Sequence, residues 1–142
     1  MRTIGPDFEG IGKFQTLSIS NNQLKCCSTG DSIIKVYSLS GKFLQMYGTC
    51  GWRNAGQLRY PVICDGDADG SVLIVDRGND RLQVMSEQGE FSVLQLQPPV
   101  LQPCGAVLFN RQLYVTSNKD KAIYKYECTR VECAQPTTVL SD

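Results

Sequence analysis

Gly56 to Phe91 reads GQLRYPVICDGDADGSVLIVDRGNDRLQVMSEQGEF, and its turns decide the fold. Three short apolar runs are separated by DADG and RGND and closed by EQG. Val72 and Ile74, then Leu82 and Val84, recur at period two, the signature of half-buried strands. A fourth run, Phe91 to Leu96, follows the last turn. Four strands joined by tight turns make an antiparallel meander of about forty residues, the size of one radial blade.

The unit repeats. Upstream, Ile34 falls on Leu82 and Gly41 on Gly89, both at a shift of 48, and Gly30 falls on Gly78. Downstream, Ile123 falls on Leu82 at a shift of 41. A period of roughly 40–45 residues built from strands alone indicates β-propeller blades. The expected fold is therefore all-β, a partial propeller of about three four-stranded antiparallel blades. The chain divides into a strand and connector from a preceding blade at 1–11, a first blade at 12–48, a second at 56–96, a weaker third at 101–127 and a C-terminal tail at 128–142. Within these, strands are expected at Thr16–Ser20, Gln23–Ser28, Ile33–Ser38, Phe43–Tyr47, Ala106–Phe109, Gln112–Thr116 and Ile123–Tyr126, with further ones at residues 2–5 and Thr137–Leu140.

The middle unit carries Gly56, Gln57, Leu58, Pro61, Ile63, Asp69, Gly70, Val72, Ile74, Val75, Asp76, Asn79, Arg81, Leu82, Gln83, Val84 and Gly89 in a recognisable order. It resembles the NHL repeat. The first copy departs at Leu17 and Ser28, the third at Thr116 and Ala122. The resemblance spans Gly12 to Tyr126. It implies a propeller similar to those at the C-terminal ends of tripartite-motif proteins, which select a partner while separate RING, B-box and coiled-coil segments provide ubiquitin transfer and dimerisation.

Propellers need at least four blades, so three leave strand edges and a blade face uncovered. Two completions are open: first, a longer propeller of which this is a part, and second, a ring closed by a second copy as a homodimer. The 142 residues carry 14 basic and 14 acidic side chains. Zero net charge selects neither nucleic acid nor an anionic membrane. No apolar run reaches the ~18–20 residues of a membrane helix, and the N-terminus lacks a signal core. The expected location is cytoplasmic. Seven cysteines at irregular spacing read as reduced, buried thiols rather than a disulfide framework, with Cys128 and Cys133 the pair that could join under oxidising conditions.

There is no histidine, which removes His general bases, Ser–His triads and His metal sites. It also sets the chain apart from propeller lyases similar in fold whose chemistry uses histidine-held zinc. No phosphate-binding Gly loop or nucleophile elbow is present. The expectation is a non-catalytic chain without cofactor, any ubiquitin-ligase activity requiring RING sequence that is absent here. Asp65, Asp67, Asp69 and Asp76 stand at positions 1, 3, 5 and 12 of a calcium-loop spacing, with Gly70 at 6. Position 12 is Asp rather than Glu, and the flanks read as strands. The competing reading is a hairpin turn in which Asp69-Gly70 supplies the positive φ.

In an up-and-down blade the turns after strands two and four share one face. Here that face collects Trp52, Arg53, Arg59, Tyr60, Arg77, Asn79, Lys119 and Lys121. Mixed arginine and aromatics suit a protein hot spot or stacked single-stranded RNA. A protein partner is the first expectation, single-stranded RNA the alternative, and a calcium-binding structural domain the third.

Overall fold

The computed structural model describes residues 16–28, 30–66 and 69–128 in full and the backbone of 132–141. The strand expected at residues 2–5 and the connector at 1–11 lie outside them, as does Asp67. The first sheet is β1 (Thr16–Ser20), β2 (Gln23–Cys27), β3 (Ile34–Ser38) and β4 (Phe43–Tyr47), antiparallel and in chain order. A parallel pair, β5 (Thr49–Cys50) and β6 (Gln57–Leu58), folds the long connector back on itself. The second sheet is β7 (Pro61–Gly66), β8 (Val72–Asp76), β9 (Arg81–Met85) and β10 (Phe91–Val93), with a 3-10 turn at Arg77–Asn79. The third contains β11 (Gln95–Gln97), β12 (Pro103–Phe109), β13 (Gln112–Ser117), β14 (Ala122–Cys128) and β15 (Glu132–Ser141) in the order β11-β15-β14-β13-β12. The chain is all-β, a partial β-propeller of meandering sheets.

The turns repeat at the backbone level. Ser32, Asp80 and Lys121 each take a left-handed φ, of 56°, 51° and 52°, immediately before the third strand of a sheet or one residue earlier. They stand 48 and 41 residues apart, the shifts that align the three units in sequence. Gly41 and Gly89 likewise share φ values of 94° and 84°. Asn21-Asn22 and Asn110-Arg111 are all positive in φ, the requirement of a two-residue type I′ hairpin, which Asn tolerates.

β8 departs from the half-buried pattern expected of it, since all five of its residues are buried. Successive strand side chains point to opposite faces, and both faces of the middle sheet are covered. Val72 and Ile74 join Ile63 and Met85 against Cys27 and Ile34 of the first sheet. Leu73 and Val75 join Leu82 against Leu113, Val115 and Tyr126 of the third. Each fully buried aliphatic side chain here stabilises by about 1.5–3 kcal/mol. At the outer side of the first sheet, Leu17 and Ile19 are 66% and 59% exposed, so the described arc is open there.

Two further expectations are corrected. Phe91–Leu96 is not one strand. Leu94 turns its N–H to Leu82 O, and the chain then leaves the second sheet to pair in parallel with β15. The backbone of 132–141 extends the third sheet along β14 as β15, which contains the strand expected at Thr137–Leu140. Not every thiol is free, either. Cys26, Cys27, Cys50, Cys64 and Cys104 are free, whereas Cys128 is disulfide-bonded. Cys133 stands opposite it in antiparallel register, and directly opposed residues lie about 4.5–5.5 Å apart at Cα, within disulfide range. No helix among the described residues is long and apolar enough to cross a membrane.

Candidate functional site

The face carrying the sequence-derived candidates is assembled from connectors of all three sheets. Gly78 N–H donates to Arg59 O at 2.7 Å, Gln102 N–H to Asp80 Oδ1 at 3.0 Å, and Asn118 N–H to Gln102 O at 3.0 Å. These bonds join the loop around Arg59-Tyr60, the turn at 77–80, the link at 98–102 and the turn at 118–121 into one surface. The Trp52 loop is held by Gln57, whose Oε1 accepts the N–H groups of Arg53 and Asn54, both at 2.9 Å.

Trp52 is 65% exposed, and the Arg53 guanidinium lies 6.0 Å from its ring centroid. Tyr60 is 54% exposed, with the Arg59 guanidinium at 6.0 Å. These distances are at the outer limit of a cation–π contact. Arg77, Lys119 and Lys121 are exposed on the same surface. The nearby acids are partly engaged, Asp80 with Gln102 N–H and Asp120 with the Tyr124 hydroxyl at 3.0 Å.

Asn79 belongs beneath the face rather than on it. Its Nδ2 donates to Gly51 O and to Asp76 Oδ2, both at 2.8 Å. Asp76 is fully buried and organises this layer. Its Oδ1 accepts Arg59 N–H at 2.7 Å, and its Oδ2 also accepts Arg81 Nε at 2.9 Å and Gln83 Nε2 at 3.0 Å. Gln83 and Arg81 continue to the backbone: Gly56 N–H donates to Gln83 Oε1, and Arg81 Nη2 donates to Asn54 O and Gln57 O. Asp76 and Arg81 frame the 77–80 turn in sequence and pair across it here, whereas Gln57 and Gln83 are supports that the turn itself does not announce. The signal was present: Asn79, Arg81 and Gln83 recur at i, i+2 and i+4, and in β9 the last two point to one side.

The calcium reading is corrected. Asp76 has both oxygens in use, and it pairs with Pro61 across the sheet while Asp65 pairs with Leu73. The two carboxylates therefore sit toward opposite ends of one hairpin. Asp69 Oδ1 accepts both Ser71 N–H and Ser71 Oγ, which holds its carboxyl below the usual range. The described residues contain no cluster of three potential metal ligands.

The fold and this face define a β-propeller arc presenting anchored loops. No family model matches the chain, and no curated protein matches it. Among solved structures, a streptogramin B lyase is similar at a TM-score of 0.65 and 18% identity, over 89% of this chain and 40% of that one. The chain thus spans two-fifths of the length of that lyase chain, and at this identity the likeness is one of fold. It corrects the expectation of a non-catalytic chain, because the same architecture carries an enzyme there. Chemistry resides in loops grafted on a fold, and lacking histidine leaves carboxylate, thiol, tyrosine and arginine chemistry open.

Proposed function

We propose that this chain is a recognition module that binds a protein partner through the Trp52–Tyr60–Arg77–Lys119 face. The observation carrying this reading is the pair of exposed rings, Trp52 and Tyr60, each beside its own arginine on hydrogen-bonded loops. Trp, Tyr and Arg are the residue types that dominate binding hot spots, and loops already held in place lose less freedom on association. The likeness of the repeats to NHL propellers supports a partner-selecting role in a ubiquitin-ligase context, with ubiquitin transfer residing in another segment. The five free thiols among the described residues suit a reducing cytoplasm; the Cys128 disulfide pulls toward an oxidising compartment.

A second reading is single-stranded RNA on the same face. It is favoured by the five cations Arg53, Arg59, Arg77, Lys119 and Lys121, all exposed there. The two separate by salt. Anisotropy of a labelled 20-mer of poly(U) would show binding that collapses between 50 and 200 mM salt and in an Arg77→Ala, Lys119→Ala double variant. For the protein reading, crosslinked partners are identified by mass spectrometry on wild type, Trp52→Ala and Tyr60→Ala. A partner retained undiminished by both aromatic variants overturns it.

A further inference from the structure

The two inter-sheet junctions are finished differently on the face opposite the candidate loops. Between the first and second sheets, Lys25 Nζ reaches across to Gly70 O at 2.9 Å while also donating to Ser20 O at 3.3 Å. Ser20 Oγ donates to Ser71 O, and Asn21 Nδ2 to Glu87 Oε1. This polar clamp seals the junction. A shift of 48 places Leu73 on Lys25. At the next junction the reaching ammonium is thus replaced by a short apolar side chain, and no such seal is made among the described residues.

An open cleft of about 670 Å³ occupies that place, between Asp65–Gly66 and Ser71–Leu73 of the second sheet and the β12–β13 turn of the third. Its volume lies within the ~300–1,000 Å³ usual for small-molecule sites. Leu73, Leu94 and Leu113 form its apolar interior, and Leu108 and Phe109, 44% and 64% exposed, its outer wall. Its rim carries two charges, Arg111 on one wall and Asp65 on the other. Asp65 Oδ1 accepts its neighbour Gly66 N–H at 2.9 Å. Among the described residues the exposed Arg111 side chain has no hydrogen bond or ion pair. Arg111 sits at φ 64° in the two-residue turn after Phe109, so the turn geometry fixes where its side chain leaves the backbone.

We propose that this cleft binds a small amphipathic carboxylate, its apolar body against Leu108 and Phe109 over the floor of Leu73, Leu94 and Leu113, and its head on the Arg111 guanidinium. A guanidinium matches a carboxylate with paired N–H donors, and the interior offers an apolar tail no competing polar partner. The site is separate from the loop face and independent of what that face binds.

Decanoate, below its micelle concentration, tests this by calorimetry with amide chemical shifts read in parallel. Saturable one-to-one binding is expected, with shifts at Gly66, Ser71 and Asn110. Arg111→Asn keeps the positive φ the turn needs and should weaken decanoate roughly tenfold, the loss of one charge-assisted contact, while leaving decanol binding unchanged. Leu108→Asp should weaken both ligands. Thermal midpoints confirm that each variant is folded. Absence of saturable binding, equal binding by both folded variants and wild type, or shifts confined to the Trp52 face overturns the proposal.

Discussion

Arg81 Nε donates to Asp76 Oδ2 at 2.9 Å, the carboxylate fully buried and the arginine side chain 15% exposed. The pair is the centre of a four-donor cluster, with Arg59 N–H, Asn79 and Gln83 completing it. It ties three segments together: the Arg59 connector, the 77–80 turn and β9. Asp76→Ala strands Arg81 and Gln83 without their acceptor. Removing one partner of a buried ion pair costs about 3–5 kcal/mol, so urea unfolding should show a loss of that order. Asp76→Asn keeps the shape but sets an amide among donors, and should recover less than half of it. A loss below about 1 kcal/mol in the alanine variant would falsify the organising role.

Lys25 gives a pH-dependent prediction. Burial lowers its pKa from 10.5, against the opposing pull of Glu87 and Asp69. The folded state therefore binds fewer protons than the unfolded chain between the lowered value and 10.5, and stability rises with pH across that window. Lys25→Met removes both the titration and the bonds to Ser20 O and Gly70 O. The variant should be less stable and should lack that rise when unfolding free energies are compared at successive pH values below 10.5. Parallel curves for the two proteins would rule out the clamp as the source.

The parts of this architecture visible in sequence are those set by local chemistry. Asn21-Asn22, Gly41 and Gly89 announce turns because few residues tolerate φ > 0, and the strands between them follow. Asp76 and Arg81 could be paired because only five residues separate them. What was hidden depends on distant partners. Asn79 looks like a surface amide until Gly51 O, 28 residues upstream, is seen accepting from it. Nothing near Leu94 states that the chain will change sheets there, since the strand that receives β11 comes some 35 residues later. The alternation at Val72 and Ile74 correctly indicated a strand but not that Leu73 and Val75 would be covered too.

Tyr126 is predicted to resist ionisation. Its hydroxyl donates to Pro98 O at 3.0 Å, and burial, with Tyr124 and Asp120 adding to it, pushes its pKa from 10.0 to about 12. A raised folded pKa means stability that is present in full below pH 10 and lost as pH rises toward 12. Tyr126→Phe should cost about 1 kcal/mol at neutral pH, the worth of one hydrogen bond, and should lose less on going alkaline. Cys26, pushed up to about 11 by burial, titrates in the same range and is common to both proteins. The difference between the curves therefore reports Tyr126, and absorbance at alkaline pH should show one fewer late-ionising tyrosine in the variant. An unchanged alkaline slope would assign the loss elsewhere.

Thiol counting checks the third sheet. Five free cysteines and a bonded Cys128 predict five reactive thiols in denatured, unreduced protein and seven after reduction. A native disulfide stabilises by roughly 2–4 kcal/mol. Reduction should lower the unfolding midpoint accordingly, and Cys128→Ser should abolish the difference between reduced and oxidised samples. Seven thiols without reductant would mean that β14 and β15 are held by backbone pairing alone.

Gly89 makes the sharpest steric prediction. It follows β9 in the turn Ser86–Glu90, where its N–H donates to Ser86 O at 3.0 Å. Its φ is 84°, and a Cβ at this position would run into the Tyr47 ring of the first sheet. Two costs therefore add in Gly89→Ala. The left-handed backbone contributes roughly 1 kcal/mol, and displacing a ring that packs on the Cys27–Ile34–Leu58 cluster contributes overpacking of about 1–3 kcal/mol. A double-mutant cycle separates them. In a Tyr47→Ala background the clash is gone, and Gly89→Ala should cost only the backbone part. If the two backgrounds respond equally, the ring is not pressed on the glycine, and the contact between the first two sheets at this turn is looser than the packing indicates.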